Sequence, residues 1–126
     1  MARVFAIEDD FLVAAALRLH IEEMGHELAG LAATYDEALS LAEGAAFDII
    51  LSDIRIGVPD GIDAVEAILK IRCVPVIFIT GYGGQNYLER IAKIRPFSVI
   101  LKPFGFDELE RAIASALEGG PATRPG

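Results

Sequence analysis

Four stretches of this chain carry side chains that could do chemistry together. Glu8-Asp9-Asp10 follow the apolar run Arg3 to Ile7, and Asp53 follows the run Phe47 to Ser52. Thr80-Gly81 end the run Pro75 to Thr80, and Lys102-Pro103 follow Phe97 to Leu101. Crowded carboxylates raise each other's pKa unless a cation sits between them. Hard oxygen donors suit Mg²⁺, which keeps waters and takes one or two carboxylates plus a phosphate. An ionised Asp can attack phosphorus and form an acyl phosphate. The oxygens of the incoming group then need donors, and the Thr80 hydroxyl, the Lys102 ammonium and loop amides can supply them. Each feature alone has an ordinary reading. An Asp after a strand is a cap or turn residue, acids before a helix suit its positive end, and Lys-Pro is a loop. Their joint placement at four strand ends, in order, carries the chemical reading.

The elements that must position them alternate strand and helix five times. Strands are expected over Arg3 to Ile7, His26 to Ala32, Phe47 to Ser52, Pro75 to Thr80 and Phe97 to Leu101. Helices are expected over Phe11 to Met24, from a Thr34 cap through Glu43, and over Gly61 to Arg72, Tyr87 to Ile94 and Phe106 to Glu118. Thr34 and Glu37 have capping-box spacing. Gly25 and Gly44 stop the first two helices. Continuous apolar strands separated by helices imply a parallel sheet covered on both faces. With right-handed crossovers this is an α/β, doubly wound, flavodoxin-like sheet of order 2-1-3-4-5. In such sheets ligands gather at the carboxyl ends of the strands, where the four stretches lie.

The chain has 126 residues, 53% of them apolar, enough for one domain with a full core. The expected domain is 1–118, with the Gly/Pro-rich stretch 119–126 as a disordered tail. A net charge of −8 argues against nucleic acid as a partner. No apolar run reaches the length of a membrane span, and the start does not resemble a signal peptide, so a cytoplasmic location is expected. Cys73, the single cysteine, reads as a small hydrophobe at or near the core. His20 and His26 offer no metal-ligand spacing, and neither reads as a phosphotransfer histidine.

From Arg3 to about Leu117 the chain resembles a bacterial two-component receiver domain. The residues that carry the resemblance are Glu8-Asp9, Ser52-Asp53, Asp60-Gly61, Thr80-Gly81 and Lys102-Pro103-Phe104. The resemblance implies a phosphoacceptor signalling protein rather than an enzyme, in which Asp53 takes phosphate from a histidine kinase or histidine phosphotransfer protein. It implies Mg²⁺ held by Glu8, Asp9, Asp53 and the backbone carbonyl of Arg55, and a phosphoryl group held by Thr80 and Lys102. Asp10 falls outside the acidic pair and is expected to cap the first helix. With no output domain, the signal is expected to leave through contact with a downstream protein or through a phosphorelay.

Two positions depart from the family pattern. The aromatic usual three residues before the lysine is Val99, and the Pro usual four after the Asp is Gly57, with Pro59 two places on. The stretch Phe78-Ile79-Thr80-Gly81-Tyr82-Gly83 resembles a subgroup of stand-alone receivers with a Phe-Ala-Thr-Gly-Tyr signature, from which Ile79 departs. That subgroup tends to lack the switch aromatic. Val99 is stiff and too short to swing, so the switch is expected in Thr80 and the loop Gly81-Tyr82-Gly83-Gly84. The resemblance also implies that Tyr82 and Arg55 influence the escape of phosphate. On the first helix, Val13, Ala16, Leu17, Ile21 and Met24 are expected to face the core. Leu12, Ala15 and Leu19 would then form an exposed strip, and the resemblance implies that kinases dock on this helix.

Three rivals fit less well. An aspartate-based phosphohydrolase would carry a second Asp two residues after the nucleophile, where this chain has Arg55, which cannot donate a proton. A pseudo-receiver that only binds partners has no need of the intact acidic pair, Asp53, Thr80 and Lys102. A flavin site would want a neutral or basic cradle after the first strand, where this chain is acidic.

Overall fold

The computed structural model describes residues 1–81 and 87–119. Its elements are β1 (Arg3–Ile7), α1 (Phe11–Glu23), β2 (Glu27–Ala32), α2 (Tyr35–Gly44), β3 (Ile49–Asp53), α3 (Gly61–Leu69), β4 (Val76–Thr80), α4 (Leu88–Ile94), β5 (Ser98–Leu101) and α5 (Phe106–Gly119). The strands form one parallel sheet in the order β2-β1-β3-β4-β5. The expected doubly wound sheet is the observed one. Helix α5 runs to Gly119, one residue into the stretch expected as a tail, and residues 120–126 lie outside the described ones.

Side chains alternate between two cores, as the pleat requires. Val4, Ile49, Leu51, Ile77, Ile79 and Ile100 point to one face, where Leu17 and Ile21 of α1 and Leu109 and Ile113 of α5 cover them. Phe5, Ile7, Ile50, Val76 and Phe78 point to the other, against Ala38 and Ala42 of α2, Ile62, Val65 and Ile68 of α3 and Ile94 of α4. Burial on both faces explains why β3 and β4 are apolar without alternation.

Several local expectations need correction. On α1 the buried residues are Ala14, Leu17 and Ile21, with Val13 and Met24 half-buried and Ala16 exposed. The inward stripe therefore runs through positions 14, 17 and 21, and Ala14 takes the place expected for Ala16. Helix α3 stops at Leu69 rather than Arg72. Its last turn tightens, with the Lys70 and Ile71 amides donating to Ala67 and Ile68. Arg72 folds back instead, donating to the Ala42 carbonyl at 3.1 Å and lying 4.8 Å over the Phe47 ring. Thr34 caps α2 by accepting the Glu37 amide, but the Glu37 carboxylate accepts from Ala33, one residue before the cap. Cys73 is exposed, because the chain between α3 and β4 runs over the surface.

At Gly30 on β2, a Cβ would sit 2.7 Å from the Phe5 ring. That ring is fully buried and packs on Phe47 at 4.9 Å, so it has little room to yield. Gly30→Ala is expected to cost about 1–3 kcal/mol by overpacking. A urea titration checks this, with a lowered midpoint at unchanged slope as the expected result.

Candidate functional site

Register and pleat bring the candidate residues together. Ile7 pairs with Ser52, so Glu8 and Asp53, one step on, lie side by side. Thr80 pairs with Leu101, which places Lys102 just beyond the end of β4. By alternation Glu8, Asp53 and Lys102 continue the face of Val4, Leu51 and Ile100, under α1 and α5, and Thr80 belongs to the other face. Three groups from three strand ends thus point into one pocket.

The Lys102 ammonium lies between two carboxylates. It donates to Glu8 Oε1 at 2.9 Å and to Asp53 Oδ2 at 3.1 Å. Asp53 Oδ1 accepts from the Ile54 amide at 2.7 Å and from the Arg55 amide at 3.4 Å. Glu8 Oε2 accepts from the Asp10 amide at 3.1 Å. Glu8, Asp53 and Thr80 are buried, while Asp9 is exposed at the rim. Burial pushes the Glu8 carboxyl above its ordinary value, against the hydrogen bonds from Lys102 and Asp10, and the Asp53 charge adds to the rise. Burial also opposes the charge on Lys102, but its bonds to Glu8 and Asp53 outweigh that and hold its pKa above the ordinary value.

Glu8, Asp9 and Asp53 each present a carboxylate oxygen, and these lie within 4.8 Å of one another. An all-oxygen, anionic, partly buried set of this kind fits a hard divalent cation. The Thr80 carbonyl accepts the Lys102 amide at 2.8 Å, which fixes the two strand ends side by side. Asp10 caps α1 as expected, with its carboxylate accepting from Leu12 and Val13.

Residues 4–114 match the response regulator receiver domain. The chain belongs to this family. It is 32% identical over 130 residues to the transcriptional regulatory protein PdtaR of Mycobacterium tuberculosis, covering 96% of this chain and 63% of that protein. It is 37% identical over 116 residues to the phyllosphere-induced regulator PhyR of Methylorubrum extorquens, covering 90% of this chain and 43% of that one. The chain thus spans less than two thirds of the length of both. Among solved structures, the signal receiver domain of a modulated diguanylate cyclase from Desulfovibrio desulfuricans superposes with a TM-score of 0.86 at 33% identity, covering 94% of each chain. The receiver domain of Erythrobacter litoralis PhyR superposes at 0.80 with 35% identity, covering 93% of this chain and 90% of that one.

In this receiver the remaining expected site residues are spread more widely. The Arg55 side chain is exposed. Gly81 is exposed beside Lys102. Val99 is 43% exposed on edge strand β5, on the face opposite Lys102. Tyr82, with the rest of 82–86, lies outside the described residues. Leu12, Ala15 and Leu19 are all exposed on α1. Leu12 lines a groove of about 490 Å³ with Val13, His20, Lys102 and Phe104, so this part of α1 reaches Lys102 at the edge of the site. The His20 ring packs edge-on against Phe106 at 5.2 Å. His26 Nδ1 accepts the Ala2 amide at 3.0 Å, so both histidines have structural roles.

Arg90 was not foreseen from the sequence. It sits on α4 and grips the cap of α3, donating to both oxygens of Asp60 at 2.8 and 2.9 Å and to Asp63 at 2.9 Å. Asp60 and Asp63 also form a reciprocal capping box. Burial works against the Asp60 charge, but the Arg90 and Asp63 bonds prevail and hold its carboxyl below the ordinary range. The box spacing was available in the sequence, whereas a partner 30 residues further on left no local signal.

Gly61 explains why Asp60 is followed by glycine. Its amide donates to the Ile54 carbonyl at 2.8 Å, and a Cβ there would overlap the Asp53 carbonyl oxygen. Backbone cannot yield as a side-chain tip can. Gly61→Ala is expected to destabilise the domain by about 3 kcal/mol. Gly44→Ala, where a methyl would meet open space, is expected to change stability by no more than about 1 kcal/mol. Paired urea titrations of the two variants check the difference.

Proposed function

We propose that this receiver accepts a phosphoryl group on Asp53 from a histidine kinase or histidine phosphotransfer protein, in a Mg²⁺-dependent reaction. The observation that carries the reading is the placement of Asp53 beside both Lys102 and the acidic pair. Its carboxylate is buried yet kept company by an ammonium, two backbone amides and two further acids. In the transfer a carboxylate oxygen of Asp53 attacks the phosphorus of a phosphohistidine. The P–O bond forms, the P–N bond breaks, and the electron pair returns to the imidazole. The negative charge spreads over the phosphoryl oxygens, where preformed donors help most.

Lys102 is already within reach of Asp53 and turns its ammonium to a phosphoryl oxygen. Thr80, at the neighbouring strand end, supplies a hydroxyl. Glu8, Asp9, Asp53 and the Arg55 carbonyl would hold Mg²⁺, which supplies positive charge against the phosphoryl oxygens. The exposed Arg55 side chain stands at the rim, and with Tyr82 it is assigned an influence on the escape of phosphate. Thr80, Gly81 and Tyr82 are assigned to the switch in place of an aromatic at Val99. The protein passes its signal by contact with a downstream protein or by onward transfer. A cytoplasmic site of action suits this role, and among the described residues no helix is long and apolar enough to cross a membrane.

Asp53→Asn is expected to abolish the mass increase that acetyl phosphate produces in the wild type, with the fold retained. Millimolar Mg²⁺ is expected to raise the melting temperature of the wild type by mass action and to lose most of that effect in Asp9→Ala. A phosphoryl adduct on the Asn variant, by intact mass, contradicts the assignment.

Leu12, Ala15 and Leu19 are proposed as the kinase-docking strip. Leu12 and Leu19 are 77% and 61% exposed, and Leu12 shares a groove with Lys102. Leu12→Asp is expected to slow phosphorylation by a cognate kinase about tenfold, the equivalent of one lost apolar contact at an interface. Labelling by acetyl phosphate, which needs no docking, is expected to stay within twofold of roughly the wild-type rate. Time courses with the two phosphodonors separate docking from damage to the fold.

A further inference from the structure

Helix α4 is short and thinly anchored. It has seven residues, of which Ile94 alone is buried, and Leu88, Glu89, Ala92 and Lys93 are exposed. A helix of this length has little stability of its own, so tertiary contacts set its position. Ile94 and, partly buried, Ile91 hold its inner face against the core. Arg90 holds its middle, through a fork onto Asp60 that a lysine could not reproduce.

The other end of that fork reaches the phosphoacceptor by a short path. Asp60 and Gly61 begin α3, and Gly61 is wedged against the Asp53 carbonyl. Ile54 lies between the two. Its amide donates to Asp53 Oδ1 at 2.7 Å, and its carbonyl accepts the Gly61 amide at 2.8 Å. Any change at the Asp53 carboxylate that alters the hold on the Ile54 amide therefore acts on the Asp53–Ile54 peptide unit, whose carbonyl Gly61 abuts, and through the Ile54 backbone on the carbonyl that seats the Gly61 amide. Phosphorylation of Asp53 is such a change, since it converts an amide-bonded carboxylate oxygen into part of an acyl phosphate and adds negative charge at the pocket.

We propose that Arg90 is a positioning residue that couples helix α4 to the phosphoacceptor site, through Asp60, Gly61 and Ile54. The inference rests on the reading of Asp53 as phosphoacceptor. Coupling needs a contiguous path whose two ends shift together, and here the path consists of named bonds. Val99 on β5, by contrast, is 43% exposed. The fork also fixes direction as well as distance, because two guanidinium nitrogens meet two oxygens of one carboxylate.

The test is amide NMR of the full chain with and without beryllofluoride and Mg²⁺, used as the acyl-phosphate mimic. In the wild type the amides of Ile54 and Arg55 and those of residues 88–94 are expected to shift together. In Arg90→Gln the Ile54 and Arg55 shifts are expected to persist, and those of 88–94 are expected to fall about threefold. Arg90→Lys keeps the charge but loses the fork, and is expected to resemble Arg90→Gln. Arg90→Lys is therefore the milder variant should Arg90→Gln lose its fold. If α4 responds as in the wild type in Arg90→Gln, or in a folded Arg90→Lys when Arg90→Gln is unfolded, the inference is overturned. If Ile54 and Arg55 respond in the wild type and α4 does not, the inference alone fails. If none of these amides responds in the wild type, the phosphoacceptor reading fails and takes the inference with it.

Discussion

The arrangement depends on one ammonium between two buried carboxylates. Two like charges about 5 Å apart repel by about 3 kcal/mol at an effective dielectric near 20, before the cost of removing them from water. Lys102 answers both terms at once, with bonds to Glu8 and Asp53 from the far side of the pocket. The cost remains visible in Glu8, whose carboxyl burial pushes up despite that partner. A pocket built this way has anionic oxygens beyond what one ammonium can satisfy. It is suited to a divalent cation, and to an incoming group whose own negative oxygens draw Lys102 away from the acids.

That arrangement was legible in the sequence because it is a property of the sheet. Five apolar runs at strand length, separated by helical periodicity, specify a parallel order in which four polar stretches reach one edge. The pleat does the rest. Glu8, Asp53 and Lys102 share a face through the parity of their positions relative to Val4, Leu51 and Ile100, and parity can be counted in a sequence. The strand-four hydroxyl falls on the other face by the same count. The backbones of Thr80 and Lys102 still meet, because β4 and β5 are adjacent and hydrogen-bonded to their ends.

What escaped the sequence reading has no period. The grip of Arg90 on Asp60 and Asp63 joins residues from different helices, and nothing near Arg90 marks it out among the other arginines. The inward stripe of α1 was misplaced by one alanine because Ala14, Ala15 and Ala16 are alike in composition, and only the packing of Leu17 and Ile21 decides which turns in. Arg72 continues an amphipathic pattern past the end of α3. Its side chain there bonds the Ala42 carbonyl and lies over the Phe47 ring. Cys73 was placed near the core by its apolar neighbours, yet its segment crosses the surface between α3 and β4.

The β3–α3 junction carries two demands that a single glycine reconciles. A phosphoacceptor needs a rigid backbone beneath it, since small displacements of a nucleophile are costly in rate. A signalling domain needs that backbone to transmit displacement. Gly61 meets the first demand by close contact with the Asp53 carbonyl, where any side chain would intrude. On the coupling proposed for Arg90 it meets the second as well, because the same close contact joins Ile54 to the start of α3. Coupling of this kind is reciprocal by thermodynamic necessity. If phosphorylation biases α4 through Arg90, then a partner that grips α4 biases the phosphoacceptor by the same free energy. A receiver with an exposed valine on β5 can in this way both report its state and have that state adjusted by whatever reads it.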